Sequence, residues 1–257
     1  MELTRAIVRP PATTFAAGLT SADLGTPDLA KAIEQHERYC TALEACGLIL
    51  IRLPPDADFP DSTFVEDTAV VGKDWAILAC PGAASRSGEV ARIEPLLRET
   101  FARVEAISSP GTVDGGDVCH ANGHFFIGVS ERTNTEGASQ LARLLGSLGH
   151  SATAVDLHNV PGMLHLKSGL SYLGDNRLAL IDTLADREEF RGFELVRVHP
   201  HERYAANCVR INDRILMAAG HPRLESTLTG LGYSVIALEM SEFRKMDGAL
   251  TCLSLRF

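Results

Sequence analysis

Cys252, His165 and Asp114 are a thiol, an imidazole and a carboxylate: a candidate nucleophile, a candidate proton carrier and an acid able to orient it. Cys252 stands near the C-terminus, just after Asp247-Gly248, where a loop can expose it. His165 lies in Leu164-His165-Leu166-Lys167-Ser168, and its apolar neighbours give the ring a defined direction. A neutral imidazole so placed takes and returns a proton near pH 7. Asp114 and Asp117 bracket Gly115-Gly116, a segment that reads either as an Asp-Gly turn or as an acid beside a close approach of chain or ligand.

Three more carboxylates, Asp61, Glu66 and Asp67, fall close together. Glu66 and Asp67 follow Phe64-Val65 and precede Ala69-Val70-Val71, which embeds them in a strand. Buried carboxylates need a partner. No Lys or Arg lies within five residues, so an external cation such as a guanidinium is a candidate. Arg86 and Arg132 occupy loops after strands, and a pair of arginines there can clamp a carboxylate.

The elements that must position these groups recur. Five strand-turn-strand units begin at Phe64, Val113, Leu164, Ala206 and Asp247, each with a polar end. The first four run through Gly72-Lys73-Asp74, Asn122-Gly123, Gly174-Asp175-Asn176 and Asn212-Asp213 into a second apolar strand. Helical stretches follow. Residues 27–46 predict a helix with Thr26 as cap, Pro27 at its first position and Gly47 as its stop. Glu89–Arg103, Thr135–Leu148 and Arg223–Gly230 also read as helices. Asp182–Arg191 is a weaker helix, because Leu184 and Phe190 are not at helical spacing. A third short strand closes each unit. One helix per repeat excludes a pure β-propeller and predicts a pseudo-fivefold α/β propeller of ββαβ units, a single domain over residues 1–257. The strands at Ala6–Arg9 and Leu253–Arg256 would share one blade.

Composition bounds the function. The net charge is −9 without a basic block, which argues against nucleic acid and mildly favours a cationic small molecule. The apolar runs are strand-length, which argues against a membrane, and the N-terminus lacks a signal-peptide pattern, so the protein is read as cytoplasmic. The six cysteines include no CxxC pair, and reduced buried thiols are expected apart from Cys252. There is no GxGxxG, Walker A or HExxH motif, so no cofactor and no metal is expected.

Taken in order, several stretches resemble the dimethylarginine dimethylaminohydrolases of the guanidino-group-modifying superfamily. They run from Gly18-Leu19-Thr20-Ser21 through Phe59-Pro60-Asp61, Phe64-Val65-Glu66-Asp67 and Pro81-Gly82-Ala83 to Thr112-Val113-Asp114-Gly115-Gly116-Asp117. Arg132-Thr133-Asn134, Leu164-His165-Leu166-Lys167-Ser168, Ala205-Ala206-Asn207-Cys208, Lys245-Met246-Asp247-Gly248 and Cys252-Leu253-Ser254-Leu255-Arg256-Phe257 complete the series. The resemblance spans nearly the whole chain, and its fold is the propeller reached from the repeat. It implies Cys252 as nucleophile, His165 as general acid/base and Asp114 as its acidic partner, where some relatives carry a glutamate. It further implies that Asp61, Glu66 and Asp67 hold the guanidinium and α-amino ends of a substrate. Arg86 and Arg132 would bind the α-carboxylate, Leu19 would lie on a mobile lid, and Met246 and Asp247 would line the pocket.

The expected partner is thus a small-molecule methylated arginine, and a homodimer stays open. The expected reaction is hydrolysis of Nω-methylated arginines to citrulline and dimethylamine or methylamine through a covalent cysteine intermediate. Three readings compete with it: an arginine or agmatine deiminase, an amidinotransferase, and a non-enzymatic binding propeller. Paired Arg86 and Arg132 argue against agmatine, which has no carboxylate. A central Cys, His and acid argue against a binding propeller.

Overall fold

The computed structural model describes residues 2–257. The chain divides into two compact units, Met1–Val65 with Val198–Phe257, and Glu66–Arg197. The elements run in chain order as β1 (Arg5–Val8), α1 (Leu29–Ala45), β2 (Ile49–Arg52), β3 (Ala69–Val71), β4 (Trp75–Leu78), α2 (Glu89–Thr100) and β5 (Arg103–Ala106). They continue as β6 (Val118–Ala121), β7 (His124–Val129), α3 (Thr135–Ser147), β8 (Ser151–Asp156), β9 (Leu170–Gly174), β10 (Arg177–Ile181) and β11 (Glu194–Val198). The chain ends with β12 (Val209–Ile211), β13 (Arg214–Ala218), α4 (Pro222–Gly230), β14 (Ser234–Leu238), α5 (Ser241–Arg244) and β15 (Ser254–Arg256).

Five three-stranded sheets result: β15-β1-β2, β3-β4-β5, β6-β7-β8, β9-β10-β11 and β12-β13-β14. In the sheets centred on β1, β4, β7 and β13, the middle strand pairs antiparallel on one side and parallel on the other. The chain ends share a sheet, as the sequence implies, with Ala6 opposite Arg256 and Val8 opposite Ser254. The hairpin turns are left-handed where the sequence offers Asn, Asp and Gly: Asn122, Asp175, Asn176 and Asn212 all have φ between 49° and 60°.

Local chemistry explains the helices. Asp28 caps α1 by accepting the Lys31 N–H at 3.1 Å, so the cap falls two residues later than Thr26. Ala32, Gln35, His36, Tyr39, Cys40 and Leu43 form the buried stripe of α1, and the Tyr39 hydroxyl bonds Ser254 Oγ at 2.6 Å. Asn134 caps α3 through the Gly137 N–H at 2.7 Å. Asp182–Arg191 is not one helix. It forms two 3-10 turns, Asp182–Leu184 and Glu188–Phe190, because its two apolar anchors share no helical face. The unit built on β9 and β10 therefore lacks the helix that the repeat predicts.

Each unit has its own core. Phe15, Tyr39, Leu43, Phe64 and Phe243 anchor the first, and Trp75, Ile77, Phe125, Ile127 and Leu141 the second. Among the described residues no helix is long and apolar enough to cross a membrane.

One feature recurs before the first strand of every sheet. A 3-10 turn occupies Val65–Thr68 before β3, Gly115–Asp117 before β6, Leu166–Ser168 before β9, Pro200–Ala206 before β12 and Thr251–Leu253 before β15. Glu66 and Asp67 consequently sit on a turn and not within a strand. The tight turn places polar side chains off the end of a sheet while their backbone remains hydrogen-bonded.

Candidate active site in two sets of residues

Within Glu66–Arg197, the turns assemble an acid-base cluster. His165 immediately precedes the Leu166–Ser168 turn and Asp114 immediately precedes Gly115–Asp117. His165 Nε2 lies 3.0 Å from Asp114 Oδ2, and both side chains are buried. The aspartate side chain thus reaches the imidazole directly. Its other oxygen accepts the Gly82 N–H at 2.9 Å, and Arg132 Nη1 stands 3.7 Å from Oδ2. Gly116 makes room for the ring: a Cβ there would lie 2.6 Å from His165 Nδ1. What approaches this glycine within the unit is the imidazole itself.

The sequence reading found no internal cation for Glu66 and Asp67, and the structure corrects it. Arg86 Nη1 meets Asp67 Oδ2 at 2.5 Å, and Lys167 Nζ meets Glu66 Oε1 at 2.6 Å. Asp67 Oδ1 also accepts the Gly116 N–H at 2.8 Å. Arg86, itself buried, bonds Glu89 Oε2 through Nη2 at 2.7 Å, giving a Glu89–Arg86–Asp67 chain of alternating charge. Neither cation is adjacent in sequence to its carboxylate, because both arrive through tertiary folding.

These charges set the protonation states. Burial alone would lower the proton affinity of His165, but the negative charges of Asp67, Asp114 and Asp117 prevail and raise its pKa to about 9. Burial would raise Asp67, but His165 and Arg86 hold it down at about 2. At neutral pH the cluster therefore holds an imidazolium beside an ionised Asp67. One ligand atom from each of Asp67, Asp114 and His165 lies within 4.8 Å of the others, a spacing a metal ion could span. A ring nitrogen that keeps its proton offers no lone pair to such an ion.

The other unit, Met1–Val65 with Val198–Phe257, carries the nucleophile candidate. Cys252 sits in the Thr251–Leu253 turn and is partly exposed, as is Cys80 against expectation, whereas Cys40, Cys46, Cys119 and Cys208 are buried. Burial pushes the Cys40 thiol to about 12 and Cys119 to about 11, values that leave both inert. The residue before Cys252 is pinned three ways. Asn207 Oδ1 accepts the Thr251 N–H at 3.0 Å, Asn207 Nδ2 donates to Thr251 Oγ1 at 3.0 Å, and Arg256 Nη1 donates to the Thr251 carbonyl at 2.9 Å. Tyr204 donates its hydroxyl to the Gly248 carbonyl at 2.9 Å, with the Arg244 guanidinium 5.0 Å from its ring centroid.

The remaining expected residues of this unit lie around two loops. Leu19 is exposed, and its N–H donates to both oxygens of the buried Asp61 at 3.1 Å. Met246 is packed into the core cluster that includes Phe15 and Phe64. Asp247 has φ 55° and accepts the Ser21 N–H at 2.5 Å and the Ser21 hydroxyl at 3.0 Å, so it latches the segment that carries Leu19.

Glu89, Lys167, Asn207 and Thr251 were not among the candidates of the sequence, and Asp117 was named there only with Asp114 as a flank of Gly115-Gly116. Two carried a signal. Lys167 is two residues from His165, and Glu89 stands three residues after Arg86 at the start of a helix. Asn207 follows the turn before β12, whereas Asp114 and His165 precede theirs.

Known proteins place the chain. A family model for arginine deiminase matches residues 98–213. The N(G),N(G)-dimethylarginine dimethylaminohydrolase of Pseudomonas aeruginosa is 45% identical over 98% of this chain and 98% of its own. The Streptomyces coelicolor protein of that name is 35% identical over 100% of this chain and 98% of its own. A solved structure of the Pseudomonas aeruginosa protein, a cysteine-to-serine mutant complexed with citrulline, matches with TM-score 0.97 and 43% identity over 100% of both chains. That likeness carries the fold class, an α/β fold of pseudo-fivefold propeller type with five small sheets. On these identities and coverages, the chain belongs to the dimethylarginine dimethylaminohydrolase family.

Proposed function

We propose that the chain hydrolyses Nω-methylated arginines to citrulline and dimethylamine or methylamine, through a covalent intermediate on Cys252. The observation that carries this reading is the full-length likeness to a dimethylaminohydrolase whose cysteine-to-serine mutant is complexed with citrulline. The buried His165–Asp114 pair and the pinned turn that contains Cys252 support this reading.

A guanidinium carbon is deactivated by resonance with its three nitrogens, so attack calls for a soft thiolate. In the proposal the Cys252 thiolate adds to this carbon. His165, held as imidazolium by its carboxylates, gives its proton to the methylated nitrogen, and the C–N bond breaks with release of a neutral amine. An S-alkylthiouronium remains on Cys252. His165, now neutral, takes a proton from water as the oxygen bonds to the same carbon. The C–S bond then breaks as the hydroxyl proton passes to solvent, so thiolate returns, the neutral ureido product leaves and His165 is again imidazolium. Asp114 keeps the ring aimed through Nε2. Asp61, Glu66 and Asp67 hold the guanidinium and α-amino ends. Arg86, steadied by Asp67 and Glu89, and Arg132 receive the α-carboxylate. Leu19, Met246 and Asp247 close around the substrate. In this reading residues 1–257 act as one catalytic domain in the cytoplasm on a small molecule, with no cofactor.

A second reading rests on the arginine deiminase model over residues 98–213: hydrolysis of unmethylated arginine with loss of ammonia. Citrulline release from asymmetric dimethylarginine, monomethylarginine and arginine, measured side by side with Cys252→Ser as control, separates the two. Turnover of the methylated compounds that is lost in the mutant is expected. Turnover of arginine alone would move the chain to the deiminases.

A further inference from the structure

Asp117 closes the turn that begins at Asp114, and no step above uses it. It is fully buried, and its N–H donates to the Asp114 carbonyl at 3.0 Å. Its carboxylate Oδ1 accepts the Leu166 N–H at 2.9 Å, and Oδ2 accepts the Ser130 hydroxyl at 2.7 Å. Ser130 Oγ in turn accepts the Arg132 N–H at 3.0 Å and the Thr133 N–H at 3.2 Å. Thr133 Oγ1 accepts the Asp114 N–H at 3.1 Å. One carboxylate thus ties down the backbone beside His165, the backbone of Asp114 and the backbone of Arg132. The fold leaves space for it: a Cβ on Gly128 would lie 2.7 Å from Asp117 Oδ1 and 2.9 Å from Leu166 Cβ.

We propose that Asp117 is a positioning residue for His165: it fixes the turn that presents the imidazole and lends that ring a third negative charge. The inference rests on the reading of His165 as proton carrier, and Asp117 itself touches no reacting atom. A purely structural acceptor for the Leu166 N–H would need no charge, since a neutral amide oxygen accepts as well. The charge is what distinguishes the two roles.

The ionisable groups that act on His165 are Asp67, Asp114 and Asp117. Arg86 pairs with Asp67, and Arg132 stands near Asp114. Burial pushes the Asp117 carboxyl up to about 6, against the opposing pull of His165 and of its hydrogen bonds from Thr133, Ser130 and Leu166. It is therefore ionised at pH 7 and above, where its charge supports the imidazolium.

The test is Asp117→Asn in the full chain, which keeps the shape and the acceptor for Leu166 and removes the charge. The His165 imidazole is titrated by NMR, with its resonance assigned by its loss in His165→Gly. Wild type should titrate well above the ordinary histidine range. In Asp117→Asn the proton affinity should fall about tenfold, one pH unit at the midpoint, and kcat should fall with it while KM changes less. An unmoved midpoint, or an unmoved kcat, overturns the proposal. Should Asp117→Asn not fold, Ser130→Ala carries the test, since it removes a hydrogen bond that favours the ionised Asp117 carboxylate and frees the Arg132 amide. There kcat and the His165 midpoint should both fall, and an unchanged kcat or an unmoved midpoint overturns the role. If wild type releases no citrulline yet the midpoint falls in Asp117→Asn, the catalytic reading fails and the Asp117–His165 coupling stands.

Discussion

The two units hold their candidate residues by different physical means. In Glu66–Arg197, His165 is set among charges: Asp114 and Asp67 beside it, then Arg86 and Glu89, with Glu66 and Lys167 paired alongside. In the unit of Met1–Val65 with Val198–Phe257, Cys252 follows a threonine held by a neutral amide on two atoms and by Arg256 on its carbonyl. The difference matches the tasks proposed for His165 and Cys252. A proton carrier needs a tuned affinity, and nearby charge tunes it strongly in a dry interior. A nucleophile needs a fixed position, which hydrogen bonds to a tight turn supply, here two with a neutral amide and one from Arg256. The cost differs too. A buried charge cluster must be complete, because each unmatched member is left desolvated. A neutral clamp fails more gently.

The largest effect tests the unit with the thiol. Cys252→Ser should reduce citrulline formation by at least roughly 10³-fold, with near-wild-type unfolding in urea, since a hydroxyl replaces a partly exposed thiol. Retained turnover would assign the nucleophile elsewhere. Arg86→Gln attacks the other unit through stability. It strips the cation from between Asp67 and Glu89 and should cost ~3–5 kcal/mol in equilibrium unfolding. A loss under about 1 kcal/mol would mean the chain of charges is not the framework of that unit. Mild acidification should recover part of the loss, because protonation removes the unmatched carboxylate charge.

Much of this arrangement could be read before any coordinates. The Asn-Gly and Gly-Asp-Asn turns marked the hairpins because only such residues adopt left-handed backbone without strain. The apolar stripes of α1 and α3 marked helices, and Cys252, His165 and Asp114 were singled out by chemistry. What stayed hidden was tertiary. A 3-10 turn of three or four residues has no periodicity, so Glu66 and Asp67 read as strand. Lys167 reaches Glu66, and Asn207 reaches Thr251, only once distant segments are packed together. A buried carboxylate announces in sequence that it needs a partner, but not which one.

The pH dependence of stability should also divide between the units. The His165 pKa is raised from 6.5 to about 9, so its contribution is complete below the lower value and fades as pH rises through the upper. Asp67 is depressed from 3.8 to about 2, so its contribution is present above the upper value and fades as pH falls through the lower. Asp117, raised from 3.8 to about 6, acts oppositely to Asp67 and favours folding at low pH. Amide hydrogen exchange, corrected for its intrinsic pH dependence, should therefore show Leu166 and Gly116 losing protection between neutral pH and about pH 9. The Thr251 amide, bonded to a neutral side chain, should keep its protection. Equal loss at both places would mean that charge does not separate the units.

The smallest effect sharpens the contrast from the neutral side. Asn207→Ala removes the acceptor of the Thr251 N–H and the donor to its hydroxyl, both buried. An unsatisfied buried amide costs about 1–3 kcal/mol, and no titrating group is involved, so the loss should be the same at pH 6 and pH 8. Asn207→Asp keeps the outline of the side chain but replaces two donors by a carboxylate oxygen. The Thr251 hydroxyl can turn to donate, which repairs the hydrogen bond while leaving a charge in a site built for a neutral group. Its folded-state pKa should rise, so this variant should be more stable at low pH and weaken as pH climbs through that raised value. If Asn207→Asp were instead as stable as wild type at pH 8, Arg256, already on the Thr251 carbonyl, must compensate the new charge, and the clamp at Cys252 would share the logic of the charged cluster around His165.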